Sequence, residues 1–291
     1  MKKEIKGRID SLNEVDYLYH LGLDSSMDLK SVFGDVKYVC MGGSAHRAYH
    51  FACKLNDLFG VFKSDNQIKP IGKTERCELY KVGPVISMSH GMGMPSMLIF
   101  LHEVTKLLVH AGVNDVVFIR IGTSGGIGVE PGTVVITSEG INGSLLNQFD
   151  QVVLGEKVSY GTQLSEELCA SLMKGLVDYP VLLGKTMGTD DFYEGQGRMD
   201  GALEPRYSQE DKYRFLNRAY AIGVRNIEME STAFAAFCNR TGIPAAIVCT
   251  TLLDRLKGDQ VTASEQQLKE YSLRAQDLVI QFLNNNAIKI E

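Results

Sequence analysis

Val116-Val-Phe-Ile-Arg-Ile-Gly-Thr-Ser-Gly-Gly126 is an apolar, β-branched run that passes through one arginine and ends in glycines and hydroxyls. It predicts a buried strand over Val116–Ile121. Arg120 sits inside that strand, where an unpaired guanidinium would be expensive. It must therefore meet an internal carboxylate or a ligand anion near the strand's C-terminal end. Thr123, Ser124 and the following glycines add hydroxyl and backbone donors suited to phosphate. A structural ion pair at Arg120 is the competing reading.

Similar runs recur at Val36–Met41, Val82–His90, Val134–Thr137, Val181–Met187 and Ala245–Thr251, spaced by segments of helical period. Pro95–Ala111 opens on proline, aligns Leu98, Leu101, Val104 and Leu108 on one face, and meets Gly112 where a C-terminal cap belongs. Glu230–Thr241 is dense in Ala and Phe and closes at Gly242-Ile-Pro244; a last helix runs from about Ser264 to about Asn285. Nearly continuous apolar strands spaced by helices predict a three-layer α/β architecture with a mostly parallel or mixed sheet covered on both faces. No repeat or linker divides the chain, so a single domain over 1–291 is expected. Residues 1–33 read as a helical or irregular N-terminal extension. Two Gly-rich polar stretches, about 138–165 and 188–215, read as long loops, which in compact domains tend to be functional.

The 291 residues are 44% hydrophobic, enough for a full core, which excludes disordered and fibrous classes. Thirty-five acids against thirty bases give a formal charge of −5, so no overall positive field exists to hold nucleic acid. The first ten residues lack a stretch of signal-peptide length, and no apolar run approaches the roughly 20 residues needed to span a bilayer. A soluble protein with no membrane partner is expected. Six cysteines, at 40, 53, 77, 169, 238 and 249, form no Cys-x-x-Cys pair and mostly lie in apolar runs, which points to a reducing, cytoplasmic setting. His46 and His50 have helical i, i+4 spacing but no accompanying His-Glu-x-x-His pattern, and no metal is expected.

Three further segments could carry chemistry. Val39-Cys-Met-Gly-Gly-Ser-Ala-His-Arg47 is a strand, a Gly-Gly turn and a helix start, an anion cradle to which Arg47 would add a forked donor, or simply a tightly packed turn. In Asp191-Phe-Tyr-Glu-Gly-Gln-Gly-Arg198, Gln196 offers a donor and an acceptor while Arg198 offers donors only. Together they could read a planar heterocycle with an N–H between two carbonyls, such as uracil; an ordinary surface turn is the alternative. In Asn226-Ile-Glu-Met-Glu-Ser231, extended geometry would point Glu228 and Glu230 to one side, where they could accept sugar hydroxyls or do acid/base work. Alternatively they complement the dipole of the helix that follows.

Taken in order, Gly42-Gly-Ser44 with Arg47, Ser89-His-Gly-Met-Gly-Met-Pro-Ser96, Arg120 to Gly126, Glu130-Pro-Gly-Thr133, Phe192 to Arg198 and Asn226 to Ser231 resemble the nucleoside phosphorylase family. The Gln-Gly-Arg element is similar to its uracil-reading branch, whereas purine-specific relatives place an aspartate there. The resemblance implies a twisted central sheet part-closed into a barrel, and reversible phosphorolysis of uridine, or of deoxyuridine or thymidine, to uracil or thymine and (deoxy)ribose 1-phosphate. It also implies that Gly43, Arg47, Arg120 and Thr123 bind phosphate, with Arg76 reaching in from a neighbouring subunit. Met229 and Glu230 would hold the ribose, Glu228 supporting them, and His20 of the partner subunit would reach its 5′-hydroxyl. Phe192 would stack on the base, Gln196 and Arg198 would read its edge, and Leu252, Leu253 and Arg255 would close the pocket. Catalysis would rest on Arg198, Gln196 and Arg120, with no metal or organic cofactor, phosphate being a co-substrate. The implied assembly is a homo-oligomer, a dimer rather than a hexamer. A purine phosphorylase, a hydrolytic nucleosidase and a non-catalytic nucleoside-binding protein are the competing readings.

Overall fold

The structure is a computed structural model that describes residues 14–72 and 74–286. The described residues divide into two compact units: residues 14–120 with 237–245 and 283–286, and residues 121–236 with 246–282.

The first unit begins with two short antiparallel strands, β1 (Tyr17–Leu18) and β2 (Leu23–Asp24), and a helix α1 (Leu29–Phe33). The expected N-terminal extension is thus a hairpin and one helical turn over its described part; residues 1–13 lie outside the described residues. Strand β3 (Tyr38–Gly42) leads into α2 (Ala45–Phe59), whose first turn is capped by Ser44 Oγ accepting from Arg47 N. The expected strand Val82–His90 is instead a hairpin, β4 (Leu79–Val82) and β5 (Val85–Ser89), because Gly83-Pro84 reverses the chain. Helix α3 (Met94–His110) carries proline in its first turn and buries Met97, Leu101, Val104 and Leu108. Strand β6 (Val117–Gly126) contributes its first four residues here, so the sheet order is β4-β5-β3-β6, with β3 parallel to both neighbours. Helix α2 packs on β4 and β5.

The second unit takes β6 onward from Ile121 and adds β7 (Val134–Ile141), then β8 (Gln148–Val153) and β9 (Glu156–Gly161), a two-stranded antiparallel ribbon. Helix α4 (Glu166–Leu172) and strand β10 (Val181–Gly188) follow. After a loop come α5 (Gln209–Ala221), started by a Ser208/Asp211 capping box, and β11 (Val224–Glu228). The chain continues through α6 (Ser231–Thr241), whose residues from Phe237 belong to the first unit, and β12 (Ala245–Asp254), which returns to the second from Ala246, into α7 (Glu265–Asn285), which stays in the second unit to Phe282. Both stretches expected to be long loops therefore contain regular structure, the ribbon in one and the start of α5 in the other.

Strand order β6-β11-β10-β7-β12 returns to β6, closing a five-stranded barrel of mixed direction. Gly126 lies at the closure. A Cβ there would sit 2.8 Å from the Val129 carbonyl oxygen and 3.0 Å from that of Leu253, so only glycine allows the approach. Helix α5 covers β11, burying Leu216 and Ala219 with Ile127, Ile141, Met187, Val224 and Ile227. The α/β class, the mixed twisted sheet and the barrel closure agree with expectation. No helix among the described residues is long and apolar enough to cross a membrane.

Candidate active site

In the first unit the anion motifs come together at strand ends. Met41 of β3 is in register with Arg120 of β6, which places the Gly42-Gly43 turn directly beyond the guanidinium-bearing residue. Arg120 is 3% exposed. A Cβ on Gly43 would lie 2.9 Å from the Gly91 carbonyl oxygen, and Arg47 NH2 lies 3.9 Å from that same point, so the missing side chain opens the turn to Arg47. Backbone N–H groups at the start of α2 complete a site of positive potential. Arg76 stands in an exposed turn of its own, its N–H donating to Thr74 Oγ1.

His20 lies in the hairpin between β1 and β2, and its surroundings are more specific than its sequence position suggested. Both oxygens of Glu103, from α3, are used: Oε1 accepts from His20 N (3.1 Å) and bonds His20 Nδ1 (2.6 Å), while Oε2 accepts from Leu21 N (2.9 Å). With Nδ1 held, Nε2 is the nitrogen left to meet a ligand. A second carboxylate anchors the same hairpin. Asp16 accepts from Lys106 Nζ (2.5 Å) and pairs with His110 Nε2 (2.9 Å). Burial pushes its pKa up, but these partners outweigh burial and hold it below the ordinary value.

In the second unit the loop after β10 is shaped by short-range bonds. Thr189 Oγ1 donates to the Asp191 carbonyl, Asp191 Oδ2 accepts from Gly195 N, and a single 3-10 turn, Glu194–Gln196, ends at Gly197. Gln196 and Arg198, separated by that glycine, are both buried, at 4% and 9% exposure. Gln196 Nε2 donates to Thr189 Oγ1 (3.1 Å), and Gln196 Oε1 accepts from Arg255 NH1 (3.4 Å). Arg255 has donors only, so the bond fixes which end of the amide is the carbonyl. Arg198 donates through Nε and NH2 to Asp200 (2.8 and 2.6 Å) and through NH2 to the Asp259 carbonyl (2.8 Å), which leaves NH1 uncommitted among the described residues. Phe192, 43% exposed, places its ring 4.5 Å from the Arg198 guanidinium carbon. Gly125 of β6 faces Arg255 Cγ and Leu253 Cδ2, so a Cβ there would lie 3.0 and 3.5 Å from them. Leu252, the preceding residue on β12, is half-buried, as are Thr123 and Met229.

Glu228 and Glu230 do not share one side of a strand. β11 stops at Glu228, and the chain turns through Met229 and Glu230 into α6. Glu228 Oε2 accepts from Glu230 N (2.9 Å) and Oε1 from Ser231 N (2.8 Å), the helix-start role. Its bonds fix the Met229-Glu230 turn, whose Glu230 is itself buried.

Three residues of this region have no counterpart in the sequence reading. Asp200 is two residues from Arg198, and Arg255 to Asp259 has i, i+4 spacing, so faint local signals existed. Lys212, from α5, gave none; its Nζ donates to Asp259 Oδ2 at 2.7 Å, with the two side chains 4% and 8% exposed.

A family model described as Phosphorylase superfamily matches residues 37–284. The chain is 48% identical over 284 residues to uridine phosphorylase 2 of Homo sapiens, covering 96% of this chain and 89% of that one. It is 38% identical over 287 residues to a Schistosoma mansoni protein named inactive uridine phosphorylase B, covering 97% and 96%. The crystal structure of uridine phosphorylase from Schistosoma mansoni in complex with uracil superposes with a TM-score of 0.92 at 40% identity, covering 97% of this chain and all of that one. Family model, sequence relatives and fold point the same way: the chain belongs to the phosphorylase superfamily, in its uridine phosphorylase family.

Proposed function

We propose that the protein catalyses reversible phosphorolysis of uridine, and of deoxyuridine or thymidine, yielding the free pyrimidine and (deoxy)ribose 1-phosphate in pyrimidine salvage. The observation that carries this reading is the ordered donor and acceptor set of the base loop. A uracil edge presents a carbonyl, an N–H and a second carbonyl. Gln196 Oε1 accepts the N–H and Nε2 donates to one carbonyl, while Arg198 NH1, the uncommitted nitrogen, donates to the other. Phe192 stacks on the ring, and Leu252, Leu253 and Arg255 close the pocket around it.

Phosphate attacks the anomeric carbon as the glycosidic bond lengthens, so the sugar gains cationic character and the departing base gains negative charge. Gly43, Arg47, Arg120 and Thr123 hold the nucleophile, and Arg76 joins them from the partner subunit of a homodimer. Met229 and Glu230 hold the ribose, Glu230 accepting from its hydroxyls and Glu228 fixing their turn. His20 of a partner, aligned by that chain's own Glu103 equivalent, donates toward the 5′-hydroxyl. Positioning and charge stabilisation do the work, with no covalent nucleophile, metal or organic cofactor. The reading places a single catalytic domain in the cytoplasm.

A second reading, a non-catalytic nucleoside binder, is favoured by one observation, the relative named inactive. Supplying phosphate with uridine, cytidine or inosine and following free base by ultraviolet absorbance separates these. Uracil release from uridine alone supports the proposal. Release from inosine alone would overturn the pyrimidine assignment, and tight binding without release would favour the second reading.

A further inference from the structure

Beneath the base loop lies a buried charge network that the reaction chemistry does not call for. Asp259 sits at its centre. Its Oδ1 accepts from Arg255 Nε (3.0 Å), its Oδ2 from Lys212 Nζ (2.7 Å) and Met199 N (3.0 Å), and its main-chain carbonyl from Arg198 NH2 (2.8 Å). Arg255 in turn donates through NH2 to the Gln196 carbonyl (2.9 Å) and through NH1 to Gln196 Oε1. The carboxylate therefore reaches Gln196 through Arg255 and holds the chain next to Arg198 through Met199 N, while Arg198 itself bonds the main chain of the same residue. Burial raises the Asp259 pKa, but the bonds from Lys212 and Met199 and the nearby charges hold it below the ordinary value.

The arrangement is costly as mere packing. Lys212 and Arg255 are 4% and 1% exposed, and a buried ion pair gains little over an apolar pair of the same shape. Three cations, Arg198, Arg255 and Lys212, face two carboxylates, Asp200 and Asp259, so the network carries a surplus positive charge beside the group that reads the base. We propose that Asp259, balanced by Lys212, is a positioning residue that sets Gln196 and Arg198 in register for the pyrimidine edge and keeps that surplus charge aimed at the departing base. The inference rests on the base-reading role of Gln196 and Arg198 and adds the residue that enforces it.

The test is steady-state kinetics of Asp259→Asn with uridine and with 5-fluorouridine, whose departing base is less basic and needs less charge stabilisation. The expected result is a fall in kcat/KM for uridine of roughly 10- to 100-fold, a smaller fall for 5-fluorouridine, and a KM for phosphate within about twofold of wild type. The double variant Asp259→Asn/Lys212→Met removes the orphaned buried cation. It should regain much of the lost thermal stability while uridine turnover stays low. Recovery of turnover together with stability, equal losses for both nucleosides, or a change within about twofold in Asp259→Asn would overturn the inference. Arg198→Ala separates the two layers: if it leaves uridine turnover intact, the base-reading role itself falls; if it abolishes turnover while Asp259→Asn does not, only the positioning role falls.

Discussion

Asn226 is fully buried and ties the barrel together, and Asn226→Ala should be among the most damaging single changes outside the site. Its Nδ2 donates to Ser124 Oγ of β6 (2.9 Å) and its Oδ1 accepts from Thr186 Oγ1 of β10 (2.7 Å). Thr186 has one hydroxyl proton, already given to Asn226, so Thr137 of β7 must donate to Thr186 across their 2.6 Å contact. Ser124 Oγ reaches the Thr250 carbonyl of β12, and the chain of bonds thus visits all five strands. Alanine removes two buried hydrogen bonds at about 1 to 1.5 kcal/mol each and opens a void worth about 1 kcal/mol, for a total of about 3 to 4 kcal/mol. For a chain of this size that lowers Tm by about 10 °C. Thermal unfolding followed by circular dichroism at fixed protein concentration measures it, since the chain has no tryptophan. A cycle with Thr186→Val should show about 1 kcal/mol of coupling. A Tm loss under about 3 °C, or strictly additive losses, would refute the network as a stabilising unit. Activity should fall as well, because Asn226 lies two residues before the carboxylate that fixes the Met229-Glu230 turn.

Arg198→Ala should lower kcat for uridine by about 10²- to 10³-fold, well beyond what its loss of Tm from the broken Asp200 pair accounts for, and a stability loss large enough to explain the whole activity loss would count against its role in the reaction. Glu103→Gln and His20→Ala should each narrow the preference for uridine over 5′-deoxyuridine several-fold; narrowing by His20→Ala alone would reduce Glu103 to a backbone tie. Asp16 has a depressed folded pKa, so its stabilisation is complete above the ordinary carboxylate value of 3.8 and is lost as pH falls through the lower folded value. Wild type should therefore lose stability across that acid window more steeply than Asp16→Asn, and parallel Tm-against-pH curves would contradict this.

The sheet was legible wherever strands are apolar on both faces, as in Val134-Val-Ile136 or Ala245 to Cys249. β11 was not, because Val224-Arg-Asn-Ile-Glu228 buries two polar side chains, Asn226 and Glu228, and Asn226 looks like a turn residue until its partners are seen. β8 and β9 were missed for the opposite reason: the ribbon leaves residues such as Val152 and Leu154 exposed, so no burial pattern marks it. The base loop was readable because its chemistry is local, with one glycine between Gln196 and Arg198. Its supports were not, since Asp259 and Lys212 lie 47 positions apart and His20 and Glu103 lie 83 apart. Spacing carries information only within an element; the rest is made by topology.

The measurement closest to the central claim is ³¹P nuclear magnetic resonance of the wild-type protein with uridine and inorganic phosphate, alongside uracil by absorbance. The account predicts ribose 1-phosphate appearing in step with uracil, and no uracil when phosphate is omitted. Uracil formed with phosphate untouched would make the reaction a hydrolysis, and unchanged uridine would contradict catalysis altogether.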